Sequence, residues 1–525
     1  MKHMKKLVSV LLTLVMALAL TIPAFAANVT NSTNHSYKAY QIFSGTQADN
    51  SAPLGDVEWG SGINGEAFLR ELKTDARFVA DSTNIFASSN TAKDVAAVLG
   101  GYTDSSEVAK AFANVAAKHL TTTATDIASD ATSVSMATGY YLLVDTSPLT
   151  GEGAFAAHNS ALLQVTNKGD ITIAVKYSVP TVDKGIVKGA DLVEADDVNI
   201  GDDVTFRLTG TLPTNYADYE TYKYVFHDTL STSLAYKGDA KVYLVNDSSR
   251  TDITANFIIS HESGVLTISC NNLKAISAVS ASSEIVVEYT AELTKDAVIG
   301  SAGNKNDVYL EYSNDPNQTG SGNPTTSNTP KDEVLVFTYE LDVTKVDGQD
   351  ATKKLKDAEF VLLSSDKNKV AKVADGKFVE WVADDDITKN ADGSYPAEYT
   401  LKSAETTGLF KIAGLDAGTY YLKETKAPAG YNLLKDVVKI EITATLNKSE
   451  DSPALTALTI KVNDGTATDG TLETGVVATN VVNNAGATLP ETGGMGTTLF
   501  YVLGTILVLG AGVLLVSKKR MSSGK

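Results

Sequence analysis

Residues 339–345 read Tyr339-Glu340-Leu341-Asp342-Val343-Thr344-Lys345. Side chains two apart in a strand share a face. Tyr339, Leu341 and Val343 therefore form an apolar face, and the next residue on it is a lysine. The same interruption recurs downstream, where Tyr420 and Leu422 lead to Glu424, and Val477 and Val481 lead to Asn483. Upstream, Val182 and Ile186 bracket Lys184, Tyr224 and Phe226 lead to Asp228, and Asn306 precedes Val308 and Leu310. Each of two units thus offers one lysine, one carboxylic acid and one asparagine on core-facing strand positions.

An unpaired lysine or carboxylate in a core is costly, so something must neutralise both. One solution is a buried ion pair with an asparagine hydrogen bond. The other is chemical. A desolvated lysine loses its charge and becomes a nucleophile, while a buried acid that stays protonated can polarise a carboxamide and shuttle protons. Amide formation with loss of ammonia then replaces two buried ionisable groups with one neutral bond. Periodicity alone leaves both solutions open.

The surrounding chain divides readily. Residues 27–176 read as a mixed unit. Helices are expected over 91–99, stopped by Gly100-Gly101, over 107–120 with Val108, Phe112 and Val115 on one face, and over 66–72. Strand-like runs at 37–43, 140–144 and 162–165 suggest a β-sandwich with inserted helices. From Ile171 onward, short β-branched and aromatic runs recur between turn residues, the pattern of further sandwiches. Residues 313–330, SNDPNQTGSGNPTTSNTP, lack apolar side chains and read as a linker or long loop. It separates a second unit, 177–328, from a third, 329–486. The expected class is mainly β, in tandem Ig-like sandwiches.

Both ends carry addresses. Lys2, Lys5 and Lys6, an apolar run over 7–22 and Ala24-Phe25-Ala26 make a secretory signal peptide, 1–26. Export permits disulfides, yet Cys270 is the single cysteine, so no internal bridge can form. At the other end, 487–525, Leu489-Pro490-Glu491-Thr492-Gly493 precedes an apolar run over 499–516 and the cluster Lys518-Lys519-Arg520. A bilayer-crossing helix needs about 20 apolar residues, with basic residues on the cytoplasmic side. The net charge is −19, and it falls to −26 once the seven basic residues of the two ends are gone. Such a surface argues against nucleic acid and anionic lipid as partners.

No cofactor or metal is expected, since the six histidines are scattered. Gly60-Ser61-Gly62-Ile63-Asn64-Gly65 matches a dinucleotide fingerprint only formally, without a βαβ unit. Asp384, Asp385, Asp386, Asn390 and Asp392 lack EF-hand spacing and read as a solvated loop. No nucleophile–base constellation supports a hydrolase.

The C-terminal pentapeptide, span and basic stop resemble the cell-wall sorting signal of Gram-positive surface proteins. Residues 420–431, YYLKETKAPAGY, match the E-box of sortase-assembled major pilins, YxLxETxAPxGY. Residues 37–43 (YKAYQIF), 178–184 (SVPTVDK) and 306–316 (NDVYLEYSNDP) are also similar to that family. The resemblance implies a CnaB-type third unit with Lys345 joined to Asn483 and Glu424 assisting. It implies a CnaA-type second unit with Lys184 joined to Asn306 and Asp228 assisting. Asn480, Asn484 and Asn304 are rival asparagines, and no bond is expected in the first unit. A sortase would cleave between Thr492 and Gly493 and pass the Thr492 carbonyl to a lysine of another copy. Lys176, in Val175-Lys176-Tyr177, sits where the family carries that lysine but lacks the YPK order; Lys168 is next. The implied partners are pilin-specific and housekeeping sortases, neighbouring copies and peptidoglycan, with tip and base pilins and a host surface ligand as further candidates. The expected role is the major subunit of a covalent, wall-anchored pilus. The alternative is a monomeric adhesin on an isopeptide stalk.

Overall fold

The computed structural model describes residues 26–522 apart from 48–52, 105, 130, 132, 150–155, 159, 167–168, 174–177, 248, 319–323, 450–451 and 487–495. The leader up to residue 25, the pentapeptide 489–493, Lys176 and Lys168 lie outside the described residues.

The first unit is a sandwich with helices on one side. Strand Ala26–Asn31 pairs with Ile171–Ile173 and Val134–Ala137. A second sheet runs Gly55–Trp59, Tyr37–Thr46, Gly139–Asp145, Ser160–Val165. Tyr37, Ala39, Tyr141 and Leu143 pack with Val29 and Ile173 of the first sheet. Ile42, Phe43 and Leu142 pack instead with the apolar faces of helices Gly65–Thr74, Ala92–Leu99 and Glu107–Ala117. Thr91 and Asp94 form a reciprocal capping box, and Gly100 caps the other end of that helix.

The second unit is a two-sheet sandwich. One sheet places Val182–Lys188 beside Asp203–Gly210, then Glu284–Leu293 and Lys241–Asn246. The other places Asp332–Phe337 beside Asn304–Ser313, then Tyr224–Leu230 and Val265–Cys270. Phe206, Leu208, Val287 and Tyr289 of the first sheet meet Phe226, Leu266, Val308 and Leu310 of the second in one core.

In the third unit the strands form one continuous rolled sheet. Its strand Tyr339–Asp347 lies between Leu409–Leu415, antiparallel, and Val476–Asn483, parallel. Glu359–Leu363 and Gly418–Lys426 pair on the far side of the roll. The first and last long strands of this unit are therefore neighbours.

Two expectations shift. The stretch 313–330 is partly structured: Thr326–Asn328 pairs with the Asn304–Ser313 strand, and Asn314 Nδ2 donates to Ser327 Oγ at 2.7 Å. Polar side chains hold this strand edge through such bonds, so a strand forms there without apolar residues. Asp332–Phe337, expected in the third unit, completes the second, because Val334 and Val336 are buried in its core. The two units then meet at Thr338, with Ile200 N–H donating to Gly414 O at 3.0 Å and Ser301 N–H to Leu472 O at 2.8 Å.

The apolar run near the C-terminus lies in helix Gly496–Ser522, 27 residues or about 40 Å long at 1.5 Å per residue. Its described side chains, such as Tyr501 and Leu507, are exposed. Among the described residues alone, no helix is long and apolar enough to cross a membrane. The span over 499–516 therefore stays an expectation from the sequence.

Candidate functional sites

In the third unit Lys345, Glu424 and Asn483 converge in the core. All are buried, Lys345 and Asn483 completely. The parallel register sets Lys345 opposite Val481 and Asp347 opposite Asn483. Lys345 Nζ donates to the Val481 carbonyl at 2.9 Å, the one hydrogen bond found for its three donors. Burial pulls the Lys345 amine down to about 8, against the opposing charge of Glu424. Asn483 Nδ2 donates to Glu424 Oε2 at 3.0 Å and to the Asn432 carbonyl at 2.8 Å. Leu434 N–H also donates to Glu424 Oε2, at 2.8 Å. Asn483 Oδ1 and Glu424 Oε1 are buried without a hydrogen-bond partner. Unsatisfied buried acceptors are costly and need an explanation.

The second unit assembles the same residue types across its two sheets. Lys184 stands on one sheet, Asp228 and Asn306 on the other, and all three are fully buried. Lys184 Nζ donates to Asp228 Oδ2. Burial pushes the amine down and the carboxyl up, each partly offset by the other's charge. Both directions favour a neutral amine beside a neutral acid. Asn306 Oδ1, like Asn483 Oδ1, has no partner.

The rival asparagines separate cleanly. Asn480 and Asn484 are exposed. Asn304 is buried but fully used, accepting from Val298 N–H at 2.8 Å and donating to the Val298 and Val336 carbonyls. It clamps a loop.

Tyr289, not singled out in the sequence, is buried among Lys184, Asp228 and Asn306. Its hydroxyl donates to Asp228 Oδ1 at 3.0 Å and accepts from Asn306 Nδ2 at 2.6 Å and Lys184 Nζ at 3.3 Å. The signal was available: a tyrosine on a buried strand face must place its hydroxyl somewhere.

Among the described residues of the first unit no lysine is buried; His35 Nδ1 and Asp145 Oδ2 make a buried contact at 2.5 Å. The Asp384 loop spends its carboxylates locally, Asp384 on Lys389 and Tyr395, Asp392 on Ser394.

Comparison with known proteins fits this arrangement. Residues 339–452 match the SpaA prealbumin-like fold domain, and 481–523 match the LPXTG cell wall anchor motif. The trypsin-resistant surface T6 protein of Streptococcus pyogenes is 24% identical over 433 residues, spanning 70% of this chain and 74% of that protein. Fimbrial subunit type 1 of Actinomyces viscosus is 30% identical over 139 residues, 26% of this chain and 22% of that one. The solved T6 backbone pilin of S. pyogenes serotype M6, described as a modular three-domain structure, superposes with TM-score 0.50. That likeness, at 16% identity over 88% of this chain and 98% of that one, is one of fold. The chain is a cell-wall-anchored surface protein built of Ig-like β-domains. Within that class it is similar over most of its length to the T6 surface protein, a backbone pilin, of S. pyogenes.

Proposed function

We propose that the chain is the major subunit of a covalently polymerised, cell-wall-anchored pilus, and that Lys345 bonds to Asn483 and Lys184 to Asn306. One observation carries this reading: two units in series each bury a lysine, an acid and an asparagine whose carboxamide oxygen has no partner. As a permanent ion-pair network, each set would leave that acceptor unpaid. As a reacting set, the neutral amine attacks the carboxamide carbon, charge develops on the unpartnered oxygen, and ammonia leaves. Glu424 is the acid–base group of the third unit, Asp228 of the second. Each reaction happens once per chain, so the protein is a structural subunit and not an enzyme.

Polymerisation is the second half of the reading. A sortase cleaves after Thr492, and the acyl group passes to Lys176 of a neighbouring copy or finally to peptidoglycan. Tip and base pilins and a host ligand are open to this scheme. Wall extracts run in SDS test it: a high-mass ladder is expected, and Thr492→Ala should abolish it. One monomer band with Thr492 intact would favour the adhesin reading.

A further inference from the structure

The two candidate bond sites differ in how the acid reaches the amide. In the third unit Glu424 Oε2 touches Asn483 Nδ2 directly, at 3.0 Å. In the second, the hydrogen-bond partners of Asp228 are Lys184 and Tyr289, and the carboxamide of Asn306 bonds to the Tyr289 hydroxyl instead. Aspartate is one methylene shorter than glutamate, and the hydroxyl spans the gap that this leaves. Tyr289 is held for the task. It sits on the Glu284–Leu293 strand, fully buried, its ring stacked on Phe206 with centroids 5.4 Å apart. Its oxygen contacts the amine, the acid and the carboxamide together.

We propose that Tyr289 is a catalytic residue of the Lys184–Asn306 bond, relaying protons between Asp228 and the carboxamide of Asn306. This deepens the proposed function and rests on it. The steps balance without any oxidant or cofactor. The neutral Lys184 amine attacks Asn306 Cγ, a C–N bond forms, and the carbonyl π pair moves to Oδ1. As the Oδ1 pair re-forms the carbonyl and the Cγ–Nδ2 bond breaks, the Tyr289 hydroxyl gives its proton to Nδ2, and Asp228 re-protonates the phenolate oxygen. The surplus proton of Nζ, in direct contact with Asp228, returns to the carboxylate. The products are one secondary amide and one ammonia, with Tyr289 and Asp228 restored. A hydroxyl already bonded to both donor and recipient needs no movement of the backbone, which suits a site sealed from water. The Glu424 site needs no such relay because its acid already reaches the nitrogen.

The test follows the full chain in a time course from cell-free synthesis. Protease digests quantify the peptide joining Lys184 to Asn306, with the Lys345–Asn483 peptide of the same molecule as reference. Tyr289→Phe should slow the second-unit link at least tenfold and leave the third-unit link unchanged; Asp228→Ala should abolish the former. Linking at the unaltered rate in Tyr289→Phe overturns the relay. Absence of the link from the unaltered chain overturns the underlying reading instead. Should Tyr289→Phe misfold, a ring-fluorinated tyrosine at 289 keeps the shape and makes the hydroxyl more acidic. A linking rate that this analogue does not move overturns the relay.

Discussion

Lys345 and Asn483 stand on neighbouring parallel strands, Lys345 opposite Val481 and Asn483 opposite Asp347. These strands are the first and last of the third unit, so a pull along the chain enters on one and leaves on the other. Hydrogen bonds between such strands are loaded in shear. A covalent joint between Lys345 and Asn483 passes the load from strand to strand and leaves the segment between them slack. A bond between Lys184 and Asn306, which stand on different sheets, would do the corresponding work in the second unit.

The first prediction is a mass. The full chain should be lighter than its sequence by two ammonias, and Glu424→Ala should restore one of them. A deficit unchanged by Glu424→Ala would remove Glu424 from the chemistry. The bond should also be worth stability. Cross-linking a loop of about 100 residues stabilises by on the order of 4–5 kcal/mol in the chain-entropy picture. Asn483→Ala should therefore lower the third unit's unfolding free energy, taken from urea melts, by an amount of that order.

The second prediction separates the asparagines. Asn480→Ala and Asn484→Ala alter exposed positions, so the mass deficit should stay complete. Asn304→Ala removes a loop clamp made of three hydrogen bonds. It should destabilise the second unit by about 1–3 kcal/mol while leaving the Lys184–Asn306 peptide in digests. Loss of that peptide in Asn304→Ala at full folding would reassign the bond.

Strand periodicity located Lys345, Glu424, Asn483, Lys184, Asp228 and Asn306 on buried faces because a lone charge in an apolar row has few explanations. It could not locate the bonding of Tyr289, whose ring is equally at home in any core; only the meeting of two sheets brings its hydroxyl to Asp228 and Asn306. Helix ends were legible where caps were strong, as at Thr91 and Gly100. The edge strand Thr326–Asn328 and the allegiance of Asp332–Phe337 were not, since pairing partners far along the chain decide them.

The third prediction concerns pH. With the bond removed by Asn483→Ala, Lys345 remains a buried amine held down to about 8, while the unfolded chain keeps it near 10.4. Between these values the unfolded state binds the proton and the folded state does not. Stability must then rise with pH across that window, by up to about 3 kcal/mol. Urea melts of Asn483→Ala at about pH 8 and pH 10, each against Asn483→Ala/Lys345→Met, isolate the effect from other titrating groups. Equal differences at both pH values would mean that Lys345 is not held neutral.

The fourth prediction addresses the joint between subunits. Thr492 can form a repeating link only if a lysine of the next copy reaches the sortase acyl-enzyme. Lys176 alternates with Val175 and Tyr177 in sequence. It also falls between the first unit's last described strand, Ile171–Ile173, and the second unit's first, Val182–Lys188. A lysine there would seat each subunit's C-terminal end near the next one's first-to-second-unit junction. Lys176→Ala should collapse the SDS ladder to monomer without changing the mass deficit of the monomer, because polymerisation and internal bonding use different lysines. Lys168→Ala should leave the ladder intact. A ladder that survives Lys176→Ala and disappears in Lys168→Ala would move the joint to Lys168, and survival in both would move it to another exposed lysine.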